Sequence, residues 1–300
     1  MAFPLVVGVD GSERSLQALD WAADEAIRHA LRLRVVYASV WEPHESTRSP
    51  LGAGESRDST WAEEVVTGAA ERARLRRPEL KVSGTVLPDA AVPSLLRESD
   101  EAYAVVVGSR GHGTLAGLLL GSVGLQLAAR APGPVIVVRG APANRQDGFN
   151  RVVLGIRDGE RSSAATEFAF VEARARDSRL HAVHAWRPPA YALPDIPVPP
   201  DLLTETRERQ ARELLTAALE KSSHQHESVK VISEAFNGPA REGLLGAAAS
   251  ADLVVIGARR RHASPALQLG SVNHAVPHHA PCPVAIVPQR SLPSGGHATA

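Results

Sequence analysis

The chain has 300 residues, with 33 basic and 33 acidic side chains and a single cysteine, Cys282. At roughly 100 to 200 residues per domain, this length predicts two domains, each large enough for its own core. The charge balance disfavours a nucleic-acid or membrane-surface partner, and the lone cysteine excludes an intramolecular disulfide. Because the chain begins without a basic, apolar leader and has no run of about 18 apolar residues, we expect a soluble cytoplasmic protein.

Apolar runs alternate with amphipathic segments through the first half of the chain. Predicted strands lie at 4–9, 33–40, 81–87, 103–108 and 134–138, and predicted helices at 14–30, 60–76, 91–99 and 121–130. The strands are apolar throughout rather than alternating, which is typical of strands covered on both faces. The pattern therefore predicts a doubly wound α/β domain with a parallel sheet.

The second half repeats the first. Residues 154–162 restate the pattern of residues 7–15, and the spacing from Gly257 to Gly270 equals that from Gly108 to Gly121. The repeat predicts strands near 151–156, 180–185, 229–234, 252–257 and 283–287. We therefore expect a tandem chain with domains at 1–140 and 151–290, a linker at 141–150 and a disordered tail at 291–300.

An irregular stretch follows the second strand of each half, at 43–58 and at 188–200. Both are rich in residues that break regular structure, and proline both fixes φ and removes a donor. We expect two long exposed loops that could act as lids, with a solvated connection of variable length as the alternative.

The most informative segment follows the fourth strand. It reads Gly-Ser-Arg-Gly-His-Gly at 108–113, and Gly121-Ser122 then opens a helix. Glycine lets main-chain N–H groups approach a ligand closely, and a helix N-terminus offers unpaired donors and a positive dipole end. The segment therefore predicts a phosphate-binding loop, with a strand-to-helix turn that holds no ligand as the alternative.

At these positions the chain resembles the universal stress protein family in its tandem, two-domain form. The pattern that carries the resemblance is Gly-x2-Gly-x9-Gly-[Ser/Thr], met by Gly108, Gly111, Gly121 and Ser122. The resemblance implies two Rossmann-like domains, similar to adenine nucleotide alpha hydrolases, that bind ATP with or without magnesium. It also implies that the strands at 134–138 and 283–287 pair with each other, and it leaves a further homodimer open.

The resemblance also implies roles for individual residues. The nucleoside would meet Gly8 and Asp10, adenine would lie beside Val40 and Val107, and the phosphates would meet Gly111, Gly121, Ser122 and Val123. Each position has an alternative. Asp10 and Ser122 could each serve as the N-cap of the helix that follows, and Val40 could be an ordinary core residue.

In the second half the corresponding pattern is degenerate. It keeps Gly257, Gly270, Ser271 and Val272. However, Arg260 stands where the first half has Gly111, and Arg157 stands where it has Asp10, unless a shift of one residue gives that place to Asp158. We therefore expect a weaker second site, with ATP preferring the first half.

Neither half contains the lysine motif of phosphate-transferring loops. The lysines of the chain are Lys81, Lys221 and Lys230, and no carboxylate beside the glycine loop predicts a magnesium site. The spacing of the histidines predicts no metal site. We therefore expect an ATP-binding protein with a nucleotide-dependent regulatory role in the stress response and no efficient catalysis. The alternatives are a slow ATP hydrolase and a ligand-free interaction module.

Overall fold

The structure is a computed structural model that describes residues 3–38, 55–110, 121–157, 164–187, 200–259 and 270–289. In the first half, strands alternate with helices. The elements are β1 (Leu5–Gly8), α1 (Glu13–Arg28), β2 (Leu33–Ala38), α2 (Glu55–Arg76), β3 (Val82–Leu87), α3 (Ala91–Glu98), β4 (Ala104–Gly108), α4 (Ser122–Arg130) and β5 (Val135–Val138).

A short helix, α5 (Pro142–Arg145), lies between the halves, and the second half repeats the order. Its elements are β6 (Arg151–Ile156), α6 (Ala164–Ala175), β7 (Arg179–Trp186), α7 (Pro200–Gln225), β8 (Val231–Asn237), α8 (Ala240–Ala248), β9 (Leu253–Arg259), α9 (Ser271–His279) and β10 (Val284–Gln289). In the described part of the chain, no helix has both the length and the apolar character needed to cross a bilayer.

The described strands form one ten-stranded sheet in the order β3-β2-β1-β4-β5-β10-β9-β6-β7-β8. Within each half the described neighbours are parallel, and helices cover both faces. One apolar core joins the sheet to α1, α2, α6 and α7, and the other joins it to α3, α4, α8 and α9. The predicted doubly wound, mostly parallel α/β fold in tandem is thus confirmed.

Two of the predicted boundaries are wrong. Helix α2 begins at Glu55 rather than near 60, so the end of the stretch predicted as a loop at 43–58 is helical. Likewise α7 begins at Pro200, the last residue of the stretch predicted as irregular. Proline is well tolerated at the first helical position, since its missing N–H would be unpaired there anyway. The remainder of both stretches, and the tail at 291–300, lie outside the described residues.

The halves meet through β5 and β10, which pair antiparallel with Ile136 opposite Ala285. The pairing expected between the last strands of the two halves is thereby confirmed. Because this is the point where strand direction reverses, the carboxyl ends of the first five strands and of the second five lie at opposite edges of the sheet. The chain crosses closely here, since a Cβ on Gly140 would lie 1.7 Å from the Pro281 carbonyl oxygen.

The segment predicted as a linker packs on the second half. The Asn144 side chain donates to the Ala251 carbonyl, 3.0 Å away. The Asp252 carboxylate accepts from the main-chain N–H of Phe149 at 3.0 Å and of Arg151 at 2.9 Å. The connection between the halves is therefore held by specific hydrogen bonds.

A buried group of charged side chains, the interface charge cluster, joins the same two halves on one face of the sheet. Its members are Glu25 and Arg28 of α1, His29 and Tyr103 of the first half, Asp147 of the connecting segment, and Glu172 and Arg176 of the second half. Three carboxylates thus face two guanidiniums and an imidazole.

Arg176 lies at the centre of this cluster. Its guanidinium donates to Glu25 at 2.6 Å and to Glu172, and all three side chains are 0% exposed. The same guanidinium lies over the ring of Trp21, 5.6 Å from the ring centroid. Because Glu25 and Glu172 belong to different halves, one cation neutralises a carboxylate from each.

The imidazole of His29 lies against both carboxylates. Its Nε2 is 3.2 Å from Glu172 Oε1 and 3.4 Å from Glu25 Oε1. Burial by itself lowers the pKa of His29, but the two adjacent carboxylates outweigh burial and raise this pKa to about 9. His29 is therefore a cation at neutral pH and faces the two carboxyl groups together with Arg176.

The first prediction removes the central cation. An Arg176→Leu variant leaves two buried carboxylates without their main partner, so we expect the free energy of unfolding to fall by about 3–5 kcal/mol. Urea denaturation measures it. The matched control is Arg212→Leu, because that arginine is 70% exposed and pairs with Glu208 on the surface of α7, where a loss of about 0–1 kcal/mol is expected. Equal losses in the two variants would contradict the role assigned to Arg176.

The second prediction concerns pH. Because the folded-state pKa of His29 is raised from 6.5 to about 9, its contribution to stability is full below pH 6.5 and is lost as pH rises through 9. We expect the difference in unfolding free energy between the wild type and His29→Gln to shrink over this interval by on the order of 3 kcal/mol. Denaturation curves at pH 6, 7.5 and 9.5 measure the difference. A difference that stays constant with pH would exclude a protonated His29.

Candidate functional site

The predicted first site lies between β1 and β4, where the sequence of strands in the first half switches from one side of β1 to the other. The sheet continues from β1 to β2 on one side and to β4 on the other, and doubly wound sheets have a crevice beyond the carboxyl ends of two such strands. Ligands of doubly wound α/β domains bind at such a position. Of the predicted residues, Gly8, Asp10, Val107, Gly108, Gly121, Ser122 and Val123 are described here. Val40 and Gly111 lie outside the described residues.

Asp10 lies in the turn that leads from β1 to α1. Its carboxylate accepts from the main-chain N–H of Ser12 at 2.9 Å. The N-cap of α1 is Ser12, whose hydroxyl accepts from Ser15 N–H at 3.2 Å. The alternative interpretation of Asp10 as the helix cap is therefore wrong. The structure instead places a half-buried carboxylate at the carboxyl edge of the sheet, next to the crevice.

The start of α4 lies on the other side of the crevice. Gly121 is its N-cap, and the Gly121 N–H donates to the Ser109 carbonyl at 2.8 Å. The first N–H that bonds back into the helix start is that of Leu125, to Gly121 at 3.2 Å. The preceding N–H groups, from Ser122 onward, therefore point out of the helix end, where the dipole is positive.

Ser122 is the first helical residue of α4 and is exposed. Because the N-cap is Gly121, the alternative interpretation of Ser122 as the cap is wrong. Its hydroxyl and its N–H both lie at the solvent-facing end of the helix. Val123 follows in the same turn and is half-buried.

The glycines of the site differ in what they are needed for. A Cβ on Gly108 would lie 2.7 Å from the Arg14 carbonyl oxygen, and one on Gly8 would lie 3.0 Å from Leu95 Cδ1. A Cβ on Gly121 would meet nothing closer than 3.6 Å in the described part of the chain. The sequence pattern assigns Gly108 to a phosphate-binding loop. In the structure, its lack of a side chain is required for the close approach of α1 to β4. Val107 beside it is buried.

The second half contains a defined cavity at the equivalent place. Its volume is about 350 Å³. It lies beyond the carboxyl ends of β6, β7 and β9, and between the starts of α8 and α9. The lining residues include the predicted Gly257, Gly270, Ser271 and Val272. The structure therefore brings all the residues predicted for the second site to one cavity.

The packing around two glycines supports the correspondence between the halves. A Cβ on Gly8 would meet Leu95 of α3 and Val107 of β4, and a Cβ on Gly155 would meet Leu244 of α8 and Ile256 of β9. Gly155 therefore corresponds to Gly8, and Arg157, two positions later, to Asp10. Asp158, to which a one-residue shift would give this place, lies outside the described residues, as does Arg260.

Sequence reasoning missed Asn273, which lines the same cavity. Its side-chain amide donates to the Gly257 carbonyl at 3.1 Å and so ties the start of α9 to the end of β9. The equivalent residue of α4 is Gly124, at the same distance after Ser122 as Asn273 after Ser271. Comparing the two repeats at this offset would have revealed the difference.

The sequence model of the universal stress protein family matches this chain twice, at residues 1–139 and 148–288. The chain belongs to the universal stress protein family. A universal stress protein of Mycolicibacterium smegmatis is 33% identical over 296 residues, which cover 96% of this chain and 98% of that protein. One of Mycobacterium tuberculosis is 34% identical over 296 residues, with 95% and 97% covered.

Among solved structures, a universal stress protein of Archaeoglobus fulgidus DSM 4304 shares the fold over nearly its whole length. Its TM-score is 0.67 at 18% identity, with 95% of this chain and 98% of that chain covered. A further universal stress protein, solved in complex with cAMP, is 29% identical with a TM-score of 0.36, and covers 46% of this chain and 99% of its own.

The third prediction tests whether Gly108 is needed for packing. In Gly108→Ala the new methyl group would meet the Arg14 carbonyl at 2.7 Å, so we expect a loss of about 1–3 kcal/mol in unfolding free energy. The control is Gly68→Ala in α2, where no atom of the described residues lies within 4 Å of the new Cβ. There we expect the unfolding free energy to rise by roughly 0.5–1 kcal/mol. Thermal or urea unfolding measures both, and a neutral Gly108→Ala would refute the packing role.

Proposed function

We propose that the first half of this universal stress protein binds ATP in the crevice between β1 and β4, and that bound nucleotide controls the state of the protein without efficient hydrolysis. The observation that carries the proposal is the start of α4, whose first N–H groups are not used by the helix and which is anchored by Ser109 at the carboxyl end of β4, the same edge of the sheet as the Asp10 carboxylate. Family membership adds independent support through the glycine pattern described above.

The two sides of the crevice have opposite electrostatic character, which orients the nucleotide. A carboxylate is an acceptor only, so Asp10 suits the ribose hydroxyls and repels phosphate. The start of α4 supplies N–H donors and a positive dipole end, which favour phosphate. The ribose would therefore lie toward Asp10 and the phosphates toward Ser122 and Val123, with Gly121 leaving the approach open.

The position of the lysines supports a role other than phosphate transfer. Lys81 and Lys230 immediately precede β3 and β8, at the amino ends of those strands. In each half the ligand would bind at the carboxyl ends of the strands. Both lysines thus lie at the opposite edge of the sheet from the ligand of their own half. Lys221 lies near the end of α7, the helix that leads to the amino end of β8. None of the three lysines is therefore in place to stabilise a transferred phosphoryl group, as the lysine of a Walker A loop does.

Without transfer chemistry, the nucleotide can act only through its differential affinity for alternative states. A ligand that binds one state more tightly shifts the population toward that state. The proposed output is therefore a shape that depends on the cellular ATP level, in keeping with a regulatory role in the stress response.

The fourth prediction removes the N–H and the hydroxyl of Ser122 from the α4 terminus without breaking the helix. Ser122→Pro places proline at the first helical position, and Gly121 before it already has the extended conformation that precedes proline, with φ −64° and ψ 153°. The variant lacks the N–H and the hydroxyl of Ser122. Each hydrogen bond to a charged group contributes about 1.5–3 kcal/mol, so we expect a loss of roughly tenfold or more in ATP affinity, measured by isothermal titration.

Two variants control this experiment. Ser122→Ala keeps the N–H and loses only the hydroxyl, so its loss of affinity should be the smaller one. Ser271→Pro makes the same change in α9, after Gly270 with φ −56° and ψ 161°, and should leave the tightest ATP site unchanged. Wild-type ATP affinity in Ser122→Pro would contradict the proposal. Phosphate release from ATP that disappears in the same variant would instead support the slow hydrolase.

A further inference from the structure

The two halves carry opposite charges at one equivalent position. Asp10 lies two residues after Gly8 of β1, and Arg157 lies two residues after Gly155, the glycine of β6 with the equivalent packing. Arg157 is exposed and lines the mouth of the second cavity. A ligand that satisfies the first half at this position would therefore be mismatched in the second half.

The chemistry of the two side chains defines the mismatch. A carboxylate only accepts hydrogen bonds, so Asp10 matches hydroxyl groups, whereas a guanidinium only donates them. A guanidinium also matches the geometry of phosphate with two parallel N–H groups. Where the first ligand presents ribose hydroxyls, the second ligand should therefore present an anion.

The rest of the second cavity has the same electrostatic character. Its described lining residues include Arg157 and no carboxylate. The start of α9 opens into the cavity through Gly270, Ser271 and Val272, with the N–H groups and the positive dipole end of a nine-residue helix. Two features that attract anions thus lie at separate points of one cavity.

The interior of the cavity is apolar and of ligand size. Val183, Leu244 and Ile256 contribute its apolar wall, and a volume of about 350 Å³ falls within the range of about 300–1,000 Å³ found for small-molecule sites. Because the carboxyl edges of the two halves lie at opposite edges of the sheet, this cavity does not share a ligand with the first site.

We propose that the second cavity is a separate site for a nucleotide that carries a phosphate on its ribose, at the 2′ or the 3′ position, as well as at the 5′ position. The 5′-phosphate lies at the start of α9, the base lies against the apolar wall, and Arg157 binds the ribose phosphate. This inference rests on the proposed function for the general mode of nucleotide binding and differs from it in the ligand and in the half of the chain.

The test compares three probes by isothermal titration on the full chain: adenosine 5′-monophosphate, adenosine 3′,5′-bisphosphate and adenosine 2′,5′-bisphosphate. The Ser122→Pro background reduces binding by the first half, so the heat reports mainly on the second. We expect one of the bisphosphates to bind at least tenfold more tightly than the monophosphate. Adding Ser271→Pro to the background should weaken that binding, which assigns it to the second cavity.

Variants at Arg157 decide whether this side chain makes the distinction. Arg157→Asp should abolish or reverse the preference for a bisphosphate. The control is Arg179→Asp, an equal change of charge at the exposed first residue of β7. Arg179 lies at the amino ends of β6 and β7, away from the cavity, so this variant should keep the preference for a bisphosphate. Far-ultraviolet circular dichroism and unfolding curves verify that both variants fold.

Two outcomes would overturn the inference. One is equal affinity for the three probes, and the other is a bisphosphate preference that Arg157→Asp leaves intact. Both are distinguishable from failure of the proposed function, which shows as wild-type ATP affinity in Ser122→Pro measured with ATP itself.

Discussion

The antiparallel ladder between β5 and β10 is the contact on which the rest of the architecture depends. It turns two five-stranded parallel sheets into one continuous sheet and leaves neither of these strands as an exposed edge. It also places α1 and α6 on the same face of the sheet. There the buried carboxylates of Glu25 and Glu172 both pair with Arg176, and without Arg176 they would lack their main cationic partner. The backbone pairing and the ionic contacts thus require each other.

The same ladder decides how the candidate sites relate to each other. Because strand direction reverses there, the Asp10 crevice and the Arg157 cavity face away from each other. Neither ligand can bridge the halves, so coupling between the sites would have to pass through the shared sheet and the interface charge cluster. Such coupling requires an element with two arrangements, and the ionic contacts of the interface charge cluster are the place where each half could respond to the other.

Much of the fold could be predicted from the sequence because its central strands are largely apolar runs. Runs such as 103–108 and 252–257 are buried on both faces, so they stand out without any periodicity, and the repeat then fixes the order of elements. The starts of α2 and α7 were harder to place. Both fall at the end of long irregular stretches, where no capping pattern marks the first helical turn.

The candidate site was less predictable, because a residue type alone does not show what the residue contacts. Gly108 belongs to a phosphate-binding pattern, yet its lack of a side chain is needed against the Arg14 carbonyl. The helix caps are Ser12, two residues after Asp10, and Gly121, one residue before Ser122. The interface charge cluster could not be predicted, since its members come from four separate segments of the chain that meet only after the halves pair.

The covalent connection at Gly140 has a further consequence. In an assembly of two identical chains, every substitution appears on both sides of the contact, so neither copy can change its ligand alone. Here the partner surfaces are held together at a high effective concentration, whatever the strength of their contact. Each repeat can then accumulate its own substitutions. A symmetric pair of sites can thereby evolve into two sites that bind different ligands.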